Sequence, residues 1–370
     1  MEFSIRTSYS SSASASATRL SQKEACLSSS TLIALWKANV PHWVWIGSPA
    51  WIGAVLLGLD GRAPEWLSLA IFIAATITIQ SAAEFANSYT DREEDRFYGP
   101  TNTLVTGELD ARIARKALIL QNILAALLLI ALLVVTLNYL LIIIMLVGWF
   151  FGLAYSVPPL RLKETVHAPL SHAIAFALLP IAGWLSVEPS LTAQSGFILA
   201  FASLLFLHSY GLGITLKFRK TLLALDSGLI HIGQGSSVYN LDTVGFRMKF
   251  RAAMHLEEFT SLGAFVLVPI FWYLGIFDAP LAITLLALPF PLTAAALVLR
   301  MKDPVGNSSK YKVLMTLSWI LIVVTLLGVG LASTLNPGFS VLACLVALAG
   351  FPLLVRIVHP WGAKSLSGHY

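Results

Sequence analysis

Apolar residues along this chain run in blocks of about twenty, separated by polar connections that alternate between short and long. Blocks lie near 40–58, 66–88, 117–136, 138–156, 168–187, 195–216, 259–276, 280–300, 312–332 and 339–357. Each approaches the ~20 residues that a helix needs to cross ~30 Å of hydrocarbon. The blocks are rich in Leu, Ile, Ala and Phe and show no sustained period-two alternation. A chain facing lipid must satisfy its backbone internally, so helices rather than a barrel are predicted. The fold class is all-α, an integral membrane protein with up to ten spans.

Composition agrees with that pattern: 57% of the 370 residues are hydrophobic and 12% charged, with a mean hydropathy of +0.78. A soluble core of this length does not need so much apolar surface, so a lipid bilayer is the expected surrounding. With the N-terminus placed in the cytosol, only Arg62 of the 24 Lys and Arg falls outside. The net charge of +5 then follows from topology and a face bordering anionic lipid, and no nucleic acid is expected. In this orientation the outside connections are short (59–65, 137, 188–194, 277–279, 333–338). The inside ones include the long stretches 89–116 and 217–258 beside the shorter 157–167 and 301–311, which puts the working face in the cytosol.

Both termini are expected in the cytosol if all ten blocks span. Residues 1–34 read as a disordered Ser/Ala-rich tail without the apolar core of a secretory signal. Arg6, Arg19 and Lys23 leave a transit peptide as the other reading. Residues 35–357 form one transmembrane domain and 358–370 a short polar tail. Cys26 and Cys344 make no metal spacing. No repeat of 20–50 residues is visible.

One stretch breaks the economy of charge. After the second block the chain reads NSYTDREED, four carboxylates in nine residues. Glu84, Asn87, Asp91 and Asp95 follow at spacings of three, four and four, which stacks them on one helical face. Acids at a helix C-terminus oppose its dipole by ~0.3–1 kcal/mol each, and like charges one turn apart repel. A divalent cation reverses both terms, with Asp91 and Asp95 as hard carboxylate ligands and Asn87 as a neutral oxygen. Mg²⁺ takes its remaining ligands from water and substrate phosphates, which points to a diphosphate. An acidic membrane-flanking loop neutralised by Arg92 and Arg96 explains this stretch alone equally well.

The fourth block also ends inside, with Tyr155-Ser-Val-Pro-Pro-Leu-Arg-Leu-Lys163. Its two prolines stop the helix, and Arg161 and Lys163 then suit a phosphate bridged by metal to the acids. Anchoring on the cytosolic face is the simpler account of those two cations taken alone.

The two stretches together resemble the UbiA-type intramembrane prenyltransferases. In that family an NxxxDxxxD motif follows the second helix and a YSxPP turn ending in basic residues follows the fourth. Here the first is Asn87, Asp91 and Asp95, and the second runs from Tyr155 to Lys163. The resemblance spans about residues 35–335 and includes Leu35-Trp-Lys-Ala-Asn-Val-Pro41. It implies nine helices, ten with the last block, around a central cavity opening near the cytosolic face. It also implies Mg²⁺ and a polyprenyl diphosphate as partners.

Three departures stand out. Asn102 and Thr103 occupy a segment where the family carries Arg-Pro, and Val40-Pro41 stands where another Arg-Pro is common. Where a second aspartate-rich motif is expected, Lys217, Arg219 and Lys220 precede Asp226, and Asp242 lies too far on to share its helix face. Direct contact of that basic trio with the diphosphate is favoured over a second metal held by acids elsewhere; simple anchoring of the sixth helix is the plainer alternative. Residues 221–250, with Gly, Ser, Asn and β-branched residues, suit a small hairpin or cap that excludes water from a carbocation.

The function expected is Mg²⁺-assisted ionisation of a prenyl diphosphate, with transfer to an aromatic or lipid-like acceptor. Trp149, Phe150 and Tyr155 are candidate cation-facing aromatics of the substrate cavity, or ordinary core and lipid aromatics. His208, Tyr210, His231, Tyr239 and Glu257 are polar candidates near the working face, and none is singled out as a base. A terpene cyclase of the same fold, in which the chain's own double bond attacks, is the nearest alternative. A transporter or lipid binder predicts paired mid-membrane charges, whereas these blocks hold few ionisable groups beyond Glu84 and histidines.

Overall fold

The protein is described by a computed structural model over residues 29–39, 41–92, 95, 102–165, 167–189, 191, 195–226, 250–303 and 306–334, without the side chains of 29, 41–45, 164, 218–226, 250–251 and 334. Every regular element among the described residues is helical: α1 Ser29–Ala38, α2 Pro41–Leu59, α3 Trp66–Thr90, α4 Ala111–Thr136, α5 Tyr139–Ser156, α6 Ala168–Leu185, α7 Gly196–Asp226, α8 Phe250–Tyr273, α9 Ala279–Ala287, α10 Pro289–Lys302 and α11 Ser308–Thr334. Eight stretches are long and apolar enough to cross a membrane, α9 and α10 counting as one, and α2 adds the shorter apolar stretch Ile46–Leu59. The all-α expectation holds.

Boundaries follow local chemistry. Glu65 caps α3 by accepting from the Ser68 N–H at 2.8 Å. Asp110 caps α4 through the Arg112 N–H at 2.7 Å. Between α4 and α5, Leu137 adopts a left-handed conformation (φ 50°) and Asn138 caps α5. The Asn138 amide also donates to the Leu185 carbonyl at 2.9 Å, tying this turn to the end of α6.

Four boundaries differ from the sequence expectation. Helix α1 begins at Ser29, inside the segment expected to be disordered, because Ala34 and Ala38 are buried in a small cluster with Phe85, Leu109 and Ala114. The 280–300 block is two helices broken at Leu288, where Pro289 lacks the N–H to continue a helix. Helix α7 continues through Asp226, so Lys217, Arg219 and Lys220 sit on it rather than beyond it. Helix α8 starts at Phe250, well before the apolar block at 259. The expected span at 339–357, both cysteines, and most of the 221–250 segment, including His231, Tyr239 and Asp242, lie outside the described residues.

Helices α2, α6, α7 and α11 form the centre, with α2 packed on α6 and α11, and α7 on the same two helices. Small residues permit this close approach. A Cβ on Gly53 would stand 2.5 Å from the Leu326 carbonyl oxygen, and one on Gly183 or Gly330 would collide with the backbone of Trp51 or Gly53. Helices α3, α4 and α5 pack on one flank and α8 and α10 on the other. Between α7, α10 and α11, His208 Nε2 lies 3.1 Å from both Thr293 Oγ1 and Ser318 Oγ. The Trp319 indole N–H donates to Ser209 Oγ at 2.7 Å. These bonds satisfy polar groups that have no water to turn to.

Candidate active site

The end of α3 carries its helical turn past Thr90. The Asp91 N–H donates to the Asn87 carbonyl at 2.9 Å and the Asp95 N–H to the Asp91 carbonyl at 2.7 Å. Asn87, Asp91 and Asp95 therefore remain one turn apart, as their spacing predicts.

The turn after α5 comes to meet them. Ser156, the last residue of α5, donates its hydroxyl to Asn87 Oδ1 at 2.7 Å. Arg161 takes up a left-handed conformation (φ 40°) and leads into the short 3₁₀ turn Leu162–Glu164. That turn delivers the Lys163 ammonium to Asp91 Oδ1 in an ion pair whose side chains are 2% and 4% exposed. A charge this buried is tolerated because it is paired.

Asp95 has a different partner. The Asn102 amide donates to Asp95 Oδ2 at 2.9 Å and to the Ser88 carbonyl at 2.7 Å. Asn102, read in the sequence as the residue left where a cation is missing, supplies a neutral donor to the second acid. On α7, Lys217 is buried with its ammonium 5.1 Å from the centroid of the Tyr155 ring, within cation–π range.

The structure thus brings together Asn87, Asp91, Asp95, Tyr155, Lys163 and Lys217, with Arg161 half-buried in the adjoining turn. The backbone of Arg219 and Lys220 follows on α7, and their side chains are outside the description. Two aromatics are not brought in. The Trp149 indole donates to Asn122 Oδ1 on α4 at 3.1 Å, and Phe150 is 54% exposed with its ring edge-on to Phe151. Of the other polar candidates, Tyr210 packs beside Phe206 and His208 belongs to the interhelical bonds above.

Glu257 belongs to a second buried cluster that sequence reasoning only half found. It accepts a hydrogen bond from Thr215 on α7 and pairs with Arg300 on α10, which also reaches Glu258 at 2.5 Å. In the sequence Arg300 is one of the 23 Lys and Arg left on the cytosolic side, with nothing to set it apart. The signal available was a pair of acids, Glu257 and Glu258, directly at the edge of the apolar block that starts at 259, where a buried acid demands a cation.

No group of three or more His, Cys, Asp and Glu among the described residues is placed to hold a metal ion by itself. Asn87 Oδ1, Asp91 Oδ1 and Asp95 Oδ2 each have a protein partner. Their chemistry nonetheless fits Mg²⁺, which needs few protein ligands, prefers hard oxygens and fills its shell with water and phosphate. Lys163 already places a cation on the first of the two carboxylates.

Comparison with known proteins gives the arrangement a family. No curated protein matches the chain. A structure described for digeranylgeranylglyceryl phosphate synthase in membranes superposes with a TM-score of 0.54 at 18% identity, covering 81% of this chain and 99% of that one. A UbiA homologue from Archaeoglobus fulgidus bound to GPP and Mg²⁺ gives 0.54 at 15% identity over the same shares, and another structure of a UbiA homologue from that organism gives 0.52 at 17%. Such identities show a shared fold. The UbiA prenyltransferase family profile matches residues 46–319, and the chain, an integral multi-pass membrane protein, belongs to that family.

Proposed function

We propose that this protein ionises a polyprenyl diphosphate with Mg²⁺ and transfers the prenyl group to a hydrophobic, aromatic or lipid-like acceptor. The observation that carries the reading is the convergence of the acid face of α3 with the basic turn after α5, through Asp91 with Lys163 and Asn87 with Ser156. Family membership and the fold shared with a homologue bound to GPP and Mg²⁺ support it.

Asp91, Asp95 and Asn87 are the residues that would hold Mg²⁺, which supplies charge withdrawal from the leaving diphosphate when bound. Lys163, Lys217 and Arg161, with Arg219 and Lys220 further along α7, are assigned to the diphosphate oxygens. The carbon–oxygen bond at C1 breaks with its electron pair leaving on the diphosphate. C1 then bonds to the acceptor nucleophile, which gives up a proton. Fixed charges aimed at the developing anion contribute most to such a step. Tyr155 is the aromatic placed beside these charges, and its ring also faces Lys217.

The test is incubation of the full-length protein in lipid nanodiscs with Mg²⁺ and geranyl, farnesyl or geranylgeranyl diphosphate, with and without phenolic acceptors, beside an Asp91→Ala/Asp95→Ala variant. Acceptor-dependent products lost in the variant are expected. A cyclic hydrocarbon or alcohol formed without acceptor would replace transfer by cyclisation. Diphosphate binding that ignores both aspartates would remove the metal site.

A further inference from the structure

A cavity of about 510 Å³ opens at one end of the bundle, with Phe197, Trp272, Ile276, Asp278, Leu281 and Val329 among its walls. That volume suits the head and first chain carbons of an amphiphile. Phe197 stands about twenty residues before Lys217 on the continuous helix α7, or about 30 Å along its axis. The cavity therefore lies at the membrane face opposite the Asp91 cluster. It also falls between the apolar blocks that end at 276 and resume at 280, at the depth of lipid head groups.

The turn that carries it is fixed. After α8, the Leu274 N–H donates to the Ile270 carbonyl at 3.0 Å, and the N–H groups of Ile276 and Phe277 both reach the Phe271 carbonyl, at 2.8 and 3.1 Å. Gly275 supplies the left-handed φ of 69° that the reversal needs. Phe277 is buried against Phe197 and Phe271, with ring centroids 5.4 and 5.2 Å away. Trp272 and Asp278 are thereby held before and after the turn, both exposed, and the site needs little reorganisation to take a ligand.

Charge decides which ligand that is. Asp278 Oδ1 accepts from the Leu281 N–H at 2.8 Å and caps α9, a task that Asn or Ser performs as well. The cap alone does not call for a carboxylate. No residue lining the cavity is basic, and Asp278 makes no ion pair among the described residues. The connections on this face carry Asp60, Glu65, Glu188 and Asp278 against Arg62, and Arg62 is taken by Glu188 at 2.9 Å. An exposed tryptophan at this depth is an ordinary membrane anchor; beside such a carboxylate it is also one wall of a cage for an ammonium. An anionic head group placed here meets a carboxylate and no cation.

We propose that this cavity is a site for a phospholipid with an ammonium head, choline or ethanolamine, whose cation rests between Asp278 and Trp272. The first acyl carbons then lie on Ile276, Leu281 and Val329. The site is separate from the Asp91 cluster and does not depend on the prenyl-transfer reading.

The test is native mass spectrometry of the full-length protein in detergent, titrated with phosphatidylcholine, phosphatidylethanolamine and phosphatidylglycerol of the same acyl chains. The first choline or ethanolamine lipid is expected to associate about three- to tenfold more tightly than the glycerol lipid. Asp278→Asn, which keeps the cap, should bring that preference close to unity, and Trp272→Ala should reduce it about twofold or more. Asp60→Asn, on the same face but not lining the cavity, should leave it intact. Thermal unfolding of each variant separates loss of the site from loss of the fold, and Trp272→Ala, at an exposed position, carries the test if the Asp278 variant unfolds. Equal binding of the three lipids, tighter binding of the glycerol lipid, or a preference indifferent to both Asp278→Asn and Trp272→Ala would each overturn the site. An equal loss in Asp60→Asn would overturn it too, by assigning the effect to the charge of the whole face. Tighter binding of either ammonium lipid supports the site and names its head group.

Discussion

Lys163 reaches back to Asp91 in a buried ion pair, so the turn after α5 and the end of α3 are held as one unit. Asn87 and Ser156 add a second link between the same two segments. Residues far apart in sequence are thereby fixed within a hydrogen bond of one another, as a catalytic constellation requires.

The first prediction concerns that pair. Lys163→Met leaves the Asp91 carboxylate buried without its cation and is expected to lower stability by about 3–5 kcal/mol, while Asp91→Asn/Lys163→Met regains most of the loss. Thermal unfolding in detergent measures both. Turnover of prenyl diphosphate is expected to vanish in all these variants, including the stable double. A double variant that stays as unstable as Lys163→Met would show that the pair does not account for the cost.

A second prediction follows from Asn102, whose amide spans Asp95 and the Ser88 carbonyl. Asn102→Ala frees the Asp95 carboxylate to swing away from the acid face, so the Mg²⁺ concentration for half-maximal turnover should rise several-fold, with a stability cost of about 1–2 kcal/mol. Chelation of Mg²⁺ should abolish turnover in the parent protein and restore on readdition. An unchanged Mg²⁺ requirement in Asn102→Ala would separate Asp95 from the metal.

The glycine contacts at the centre give a third. A Cβ at Gly53 meets the backbone of Leu326 and Leu327 rather than a movable side-chain tip. Gly53→Ala is therefore expected to push α2 from α11 and destabilise by about 1–3 kcal/mol, read as a lowered Tm. Gly196→Ala, where nothing lies within 4 Å, serves as the control and should leave the Tm close to that of the parent.

Much of this was legible because membranes simplify the code. A block of about twenty apolar residues has few fates other than a spanning helix, and acids at a helix C-terminus, which oppose the dipole, point to a site once they are joined to the basic turn after the fourth block. Asn87, Asp91 and Asp95 are singled out by their spacing at that helix end, and Lys163 by the basic turn that follows two prolines. What sequence does not show is which buried charge meets which. Periodicity gives Glu257 a face but not its partner Arg300, and the family resemblance marks Asn102 only as standing where a cation is missing, because hydrogen bonds across loops depend on chain path. The break at Leu288 was legible in Pro289 and Pro291, yet the continuous hydrophobicity of 280–300 concealed it. The apolar block at 259 likewise hid the polar first turns of α8, since a helix that extends beyond the membrane needs no apolar run.

A fourth prediction uses the cap of α3. Hydrogen bonds from Ser68, through its side chain first and its backbone N–H second, hold the Glu65 carboxyl below its ordinary value of 4.5. A lowered folded value means that the ionised form stabilises the fold. The contribution is fully present above pH 4.5 and is lost as pH falls through the lowered value. The Tm gap between the parent and Glu65→Gln should therefore narrow as pH drops from about 6 to about 3. A gap that widens on acidification would reverse the assigned sign.

The last prediction separates architecture from chemistry on the other flank. Arg300 on α10 pairs with Glu257 and Glu258 on α8, and Glu257 also accepts from Thr215 on α7, two residues before Lys217. This cluster binds three helices, and through Thr215 it fixes the turn of α7 that sets Lys217 over Tyr155. Arg300→Met should cost about 3–5 kcal/mol by leaving Glu257 buried and unpaired, and Glu257→Gln/Arg300→Met should regain part of it. Thr215→Val keeps the shape but removes the bond, at about 1 kcal/mol. If the cluster positions Lys217, Thr215→Val raises the KM for prenyl diphosphate while the Mg²⁺ requirement, set by the Asp91 side of the site, stays where it was. A rise in both together would mean that α7 and α3 respond as one body, and the cluster would then be holding the whole bundle rather than one cation.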